Sequence, residues 1–468
     1  MMTVTQEMAE YIVSTGYNDI PDPIISKAKE CILDSIGVAL YGSRFDASKI
    51  AFAVVGEAGG QEGGASVLGK RTKIFAPMAA FINGVMAHVA DFDDILPALK
   101  GHASCVLMPA ALATCETAGR SGKDFLTAFV VGSEVGGKLG NVIGWEHSKV
   151  GWHCTGTMGS LAAAAAASKA LNLDCSKVSN AIGIAASSAS GLRINFGTMT
   201  KSYHAGHAAM AGVLAAQLAE KGFDASPLAL EDQQGFARLF GYSGELSSIA
   251  GVLGKDYALD GIMLKAYPSC GGTHSAIDAI LKIGDQINAK FEDVADIEIR
   301  VPPPLLNWVF HHNPQTPLEA KFSIEFCLSA ALVFGHVGIA QFGGECIFNP
   351  DVRGLMRKVR MIPDAEMEKA SRERGIVGFV RVKVKLRGGE EFYETVWEPK
   401  GSPSNPMSRD EIREKFRKCA NQALLDSSVE MALETIERLE TLRNVSDLTS
   451  ILAGQVVKER RGKKHRKI

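Results

Sequence analysis

The chain has 468 residues, 46% hydrophobic and 22% charged, with a formal net charge of −2. That length and composition allow a large buried core and describe a water-soluble globular protein of more than one domain. The last residues, KERRGKKHRKI, alone carry +6, so the remainder stands near −8 (−2 − 6), which excludes a nucleic-acid binder and marks residues 456–468 as a basic, disordered tail.

The N-terminus, MMTVTQEMAEYIV, holds acids and no basic stretch, so it does not read as a secretory leader. Residues 1–255 then read as helix after helix, with no strand pattern between them. PDPIISKAKECILDSIGVALYG has apolar residues at helical spacing, proline near its start and glycine at its end. Ala- and Gly-rich helices follow, and their small residues allow close approach of helix axes. GASVLGKRT, residues 64–72, imitates a phosphate-binding loop, but Arg71 stands where a Mg²⁺-binding hydroxyl is needed, and a surface loop is expected instead. No apolar run is long enough to cross a bilayer.

The pattern changes near residue 266. VADIEIRV alternates as a strand and is stopped by three prolines, and GFVRVKVKLRGGEEFYETV alternates on both sides of a Gly-Gly turn as a hairpin does. Helix returns after GSPSNPM, where Ser408 and Glu411 have the spacing of a capping box. The expected fold is therefore mainly α: a helical domain (1–265), a smaller α+β domain inserted as a lid (266–399), and C-terminal helices rejoining the first domain (400–455). Nine scattered cysteines, none in a C-x-x-C pair, argue against a disulfide framework and for a reducing, cytoplasmic location.

Four stretches carry candidate chemistry. In ADFDDILPALKGHAS, Asp91, Asp93 and Asp94 end a helix, and His102 follows in a loop. Taken alone, that cluster reads as a polar helix end, an acid/base or histidine-orienting site, or a cation site. In GWHCTGTMGS, His153 precedes a helix start where Thr155, Gly156 and Thr157 offer backbone N–H groups to an anion. Cys154 lacks a visible base that would make it a nucleophile. GLRINFGTMTKSYHAGHAA sets Arg193, Lys201, His204 and His207 together with no acid to balance them. His204 and His207 are alternatively metal ligands, but no carboxylate or thiol stands at matching spacing. LKAYPSCGGTH places Lys265 and His274 at the junction of the two domains, where ligands commonly bind. Together these residues suit a small polycarboxylate: lysines neutralise carboxylates, histidines move a proton next to one, and the acid missing around Lys201 is the substrate's own.

At these positions the chain resembles the MmgE/PrpD family. The matching blocks are NGVMAHVADFDD, GHAS, GWHCTGTMGS, NFGTMTKSYHAGHAA, KAYPSCGGTH, KFSIEF and GSPSNPMSRDEIREKF, spread over nearly the whole chain. The resemblance implies a large helical domain with a smaller α+β lid, a homodimer, and chemistry beside a carboxylate without metal or organic cofactor. It places active-site roles on Asp91, His102, His153, Lys201 and Lys265. The reaction first expected is dehydration of a 2-methylcitrate-like substrate. His153 and His102 then share acid and base roles, Asp91 orients one of them, and Lys201, Lys265, His204, Thr155 and His274 hold the substrate. Epimerisation of an iminodisuccinate-like substrate and cis-aconitate-type decarboxylation are same-fold alternatives, and a non-enzymatic carboxylate-binding protein is the alternative from another class. Ile95 and Phe326 depart from decarboxylase-like members, which carry Thr and Tyr there; both changes remove a hydroxyl from the expected pocket, which bears on the substrate.

Overall fold

The computed structural model describes residues 2–56, 64–249, 251–287, 291–374 and 379–454. The expected disordered tail, residues 456–468, lies outside the described residues.

The first part of the chain is an all-helical bundle around one large hydrophobic cluster. Its centre is built from Ala76–Val89, Ser104–Thr117, Gly122–Val150, Cys154–Leu171 and Thr200–Glu220. These helices are rich in Ala and Gly for a steric reason. A Cβ added to Gly84 would lie 2.8 Å from the Gly206 Cα, so the backbones of Ala76–Val89 and Thr200–Glu220 nearly touch there. That antiparallel crossing brings the C-terminal end of one helix beside the N-terminal end of the other, which sets Asp91 next to Lys201.

The second part has its own core. A four-stranded sheet runs in the order β4-β3-β5-β6, where β3 is Val294–Val301, β4 Val359–Pro363, β5 Val380–Leu386 and β6 Glu391–Val396. Strand β3 pairs parallel with β4 (Ile297 opposite Val359) and antiparallel with β5 (Ile299 opposite Val382), and β5 pairs antiparallel with β6. Alternation puts Val380, Val382, Val384 and Leu386 on one buried face, covered by the helix His274–Gln286, on which Ile324–Phe334 packs in turn. The fold is thus mainly α with a small α+β unit. The capping box forms at Ser408 and Glu411, and the helix it starts, Arg409–Ala420, packs on Asp22–Gly42 of the bundle.

Two local expectations are corrected. The bundle does contain strand: β1 (Ala65–Ser66) and β2 (Lys73–Ile74) form a short antiparallel pair. The P-loop look-alike is therefore a surface loop only at its turn: Lys70 and Arg71 are exposed, but Ala65 to Leu68 are buried. The Asn83 amide accepts from Leu68 N–H and donates to the Ser66 carbonyl, and Glu116 accepts from Ser66 N–H and Oγ. Those side chains give the inward-turned backbone the partners that burial requires.

Candidate active site

A cavity of about 470 Å³ lies between the helical bundle and the α+β unit. The bundle contributes Asp91, His102, His153, Arg193 and Lys201; the α+β unit adds Gly271, Ser275 and Trp308; and the returning segment adds Pro399, Ser402 and Pro403.

The loop after Ala76–Val89 organises the polar end. Asp91 has φ of 50°, a left-handed backbone rare outside Gly, Asn and Asp. Held there, its Oδ1 receives Lys265 Nζ at 2.5 Å and Lys201 Nζ at 3.2 Å. Burial presses the Asp91 carboxyl upward, but the two ammonium groups outweigh it and hold it well below the usual range. Burial likewise acts downward on Lys265, and Asp91 reverses it, so that lysine stays charged. Lys415, from the C-terminal helix, fixes the loop from behind through the Phe92 carbonyl (2.8 Å), the Lys265 carbonyl (2.9 Å) and Asp34 (2.7 Å).

His102 Nδ1 lies 2.7 Å from the Asp94 carbonyl and 3.2 Å from Asp93 Oδ2. Both partners only accept, so Nδ1 carries the proton and Nε2 keeps the lone pair. Asp93 also accepts from His88 Nδ1 at 2.8 Å. The carboxylate that orients His102 is therefore Asp93. Asp91, expected in that role, is occupied by the lysines. His153 caps the helix Cys154–Leu171; its Nδ1 is 3.1 Å from His204 Nδ1, and its ring stacks on His88 at 5.8 Å. Burial, reinforced by the surrounding imidazoles and the Lys201 ammonium, holds His153 well below the ordinary histidine range, so it is a neutral base. Burial also lowers His102.

Asp91, His102, His153 and Lys201 line the cavity; Lys265, His204, Thr155 and His274 stand behind its wall. Lys265 is wholly buried beneath Asp91. His204 backs His153. Thr155 Oγ1 accepts the His102 backbone N–H at 2.9 Å and so positions the loop. His274 is buried against Tyr267, with Nε2 3.3 Å from the Ser269 carbonyl. Of the cations of residues 191–209, Lys201 has an acid partner, Asp91, whereas Arg193 donates to the neutral Ser148 carbonyl at 2.7 Å and His207 Nδ1 meets Ser190 Oγ at 3.3 Å. His204 and His207 thus serve different partners and share no ion site. Cys154 lines the cavity, but burial pushes its thiol up to about 12, the wrong direction for a nucleophile.

Ile95 is on the cavity wall, whereas Phe326 is not: it is fully buried in the α+β core, its ring 5.5 Å from that of Phe342. Donor atoms of Asp91, Asp93 and His102 lie within 4.8 Å of one another, close enough to surround a cation. Two ammonium groups already neutralise Asp91, however, and they repel a divalent ion at that spot. Sequence reasoning missed His88 and Lys321. His88 had a signal, its place one turn before the acidic run. Lys321 is fully buried near Asp91 and Lys265, donates a hydrogen bond to the Pro268 carbonyl at 2.6 Å, and is pushed down to about 7 by burial.

Residues 6–248 match the model of the MmgE/PrpD N-terminal domain, and residues 267–441 that of the MmgE/PrpD C-terminal domain. The cis-aconitate decarboxylase-like protein oryM of Aspergillus oryzae is 29% identical over 97% of this chain and 98% of its own. The cis-aconitate decarboxylase of Mus musculus is 30% identical over 99% and 96%, and that of Aspergillus terreus 26% over 96% and 96%. With both domain models matched in order across most of its length, the chain belongs to the MmgE/PrpD family.

Proposed function

We propose that the protein is a lyase that breaks a bond beside a carboxylate of a small tricarboxylate, and that decarboxylation of an aconitate-type substrate is its reaction. One observation carries the reading: two neutral imidazoles, His102 and His153, reach a cavity whose floor is the Lys201–Asp91 pair. The cis-aconitate decarboxylase names of the relatives favour this reaction over the dehydration expected first.

Substrate carboxylates dock on Lys201. Their negative charge raises the pKa of the nearby imidazoles, so one of them takes up a proton as the substrate binds. The bond from the methylene carbon to its carboxylate then breaks. Its electron pair forms a new C=C, and the former π pair takes the proton from the imidazolium at the vinyl carbon. Charge building beside the remaining carboxylate is stabilised by Lys201. A family homodimer with the α+β unit closing over the substrate completes the proposal.

Dehydration of a 2-methylcitrate-type substrate is the second reading, favoured by Ile95, an apolar residue on the wall where a decarboxylase-like hydroxyl was expected. Proton NMR in D₂O with aconitate, 2-methylcitrate and an aspartate-derived diacid separates the cases. Carbon dioxide release with one deuterium at the former vinyl carbon supports decarboxylation, and water loss from methylcitrate supports dehydration. Racemisation without loss of either, or no turnover of any of them, overturns the lyase reading.

A further inference from the structure

The two cavity histidines have unlike partners behind them. His102 Nδ1 faces the Asp93 anion at 3.2 Å. His153 Nδ1 faces His204 Nδ1 at 3.1 Å, and both of these rings are buried. Two lone pairs at that distance repel, and so do two N–H groups, so a single proton lies between the rings.

The backbone leaves room for this contact. Gly191 has φ of 140°, its carbonyl accepts the His153 backbone N–H at 2.9 Å, and a Cβ on it would lie 3.3 Å from His204 Cγ. A Cβ on Gly156 would lie 2.3 Å from the Ser190 carbonyl oxygen and 3.2 Å from His204 Cβ. Without side chains at 156 and 191, the starts of Cys154–Leu171 and Thr200–Glu220 approach closely enough for the two rings to bond. Phe196 meets the His153 ring edge-on at 4.9 Å and fixes its plane.

A histidine that accepts a proton at Nε2 carries its first proton on Nδ1. For His153 that makes His204 the acceptor, with a lone pair on its own Nδ1 and its proton on Nε2. The Lys201 ammonium on the same wall favours this order, because it attracts a lone pair and repels an N–H. The titratable groups that act on His153 most are His88 from Ala76–Val89, His102 from the loop after it, and Lys201 and His204 from Thr200–Glu220; all are neutral or cationic. Lys201 and His207, on its own helix, act on His204. A neutral acceptor fixes the tautomer without drawing a second proton onto His153 before the substrate arrives.

Resting on the lyase reading above, we propose that His204 is a positioning residue for the reaction: it accepts the Nδ1 proton of His153, so that His153 meets the substrate with its Nε2 lone pair and stays uncharged until a carboxylate enters the cavity. This role replaces the substrate contact expected of His204, which stands behind the wall.

Asparagine and aspartate have one shape and differ in charge, so the pair His204→Asn and His204→Asp tests the contact in the full chain. In ¹⁵N correlation spectra of the rings, His153 of the asparagine variant should keep its proton on Nδ1, with kcat within about tenfold of the parent. In the aspartate variant His153 should take up its second proton at a pH higher by about one unit or more, and the pH profile of kcat should move with it. His204→Leu leaves the Nδ1 proton buried without an acceptor; His153 should switch to the Nε2–H tautomer, and kcat should fall roughly 10²-fold with KM little changed. Should the leucine variant not fold, the other two decide alone. Equal titration of His153 in the asparagine and aspartate variants overturns the proposal, and so does a kcat profile that stays put while the ring titration shifts. Were the parent protein to turn over no tricarboxylate, the lyase reading would fall, and the ring spectra would still decide the pairing.

Discussion

Asp93→Asn tests the His102 assignment with the smallest available change. Asp93 is fully buried and receives two N–H groups, from His88 at 2.8 Å and from His102 at 3.2 Å. Burial drives its carboxyl upward, yet the two imidazoles hold it well below the usual range, so it is an anion in the folded protein. An amide offers one oxygen and one NH₂ in the same volume. His88 and His102 both meet the same oxygen, Oδ2, so an asparagine with its oxygen there keeps an acceptor for each but loses the charge. For His102, that loss lowers the affinity for a second proton. Charge-assisted hydrogen bonds contribute roughly 1.5–3 kcal/mol each and neutral ones about 0.5–1.5 kcal/mol, so weakening two should lower stability by about 2–3 kcal/mol. The rate should fall further than binding, with kcat down roughly 10²–10⁴ and KM changed much less. Steady-state kinetics, a thermal melt, and ¹⁵N correlation spectra of the histidine rings report the three effects separately. A folded Asp93→Asn protein with kcat within threefold of the parent, and with the proton affinity of His102 unchanged, would refute the argument.

Lys201→Met and Lys265→Met should separate two lysines that share one carboxylate. The first removes a cavity cation and should raise KM by roughly tenfold or more, whereas the second leaves the wall intact and should mainly lower the melting temperature; equal KM effects would contradict the placement of Lys265 behind the wall. Stability should fall below pH ~6.5, because burial lowers His88, His102, His147, His153, His204, His207 and His274 while the unfolded chain can take up their protons. Asp94, pushed up to about 7 by burial, opposes this by holding a proton in the folded state; the histidines outnumber it, so the fall should exceed the ~1.4 kcal/mol per pH unit of a single proton, readable by urea unfolding between pH 6.5 and 5. Chelation by EDTA should leave activity unchanged, since Asp91 is already neutralised by ammonium groups; a loss restored by Mg²⁺ or Zn²⁺ would turn the Asp91, Asp93 and His102 group into an ion site.

The fold was legible because its signals are periodic. Alternation in VADIEIRV and VRVKVKL fixed two strands, and a sheet residue faces in or out by parity alone. The short β1–β2 pair was hidden because its stability comes from the side chains of Asn83 and Glu116, which a local reading cannot connect to it. The site was legible only as a set of breaks between helices. Asp91 and Asp93 stand two apart in a loop, and their spacing does not say which meets lysine and which meets histidine. Lys321 and Lys415 come from distant segments and look like ordinary surface lysines until the packing around them is seen. Phe326 shows the converse: a motif neighbour need not face the pocket, because the helix Ile324–Phe334 turns it into the α+β core.

The arrangement of charge around Asp91 leaves one ammonium group short of partners at the cavity. Lys201 and Lys265 share Asp91 Oδ1, while the Asp93 anion that balances their sum is held by imidazoles. Lys321 adds a third ammonium nearby only when protonated, and burial moves that event down to about 7. Asp91 keeps Lys265 charged, so Lys265 does not give up its share of that carboxylate by deprotonation. An incoming carboxylate supplies the missing partner at Lys201, the lysine that lines the cavity. The same carboxylate raises the proton affinity of His102 and His153, so neutralising the lysine and arming the acid happen in one event. A site with a second free carboxylate in place of the second lysine would bind cations, and one with no buried partner for Lys201 would hold its carboxylate so tightly that release would slow. The shared Asp91 sits between these extremes, because it competes with the substrate for the same ammonium group.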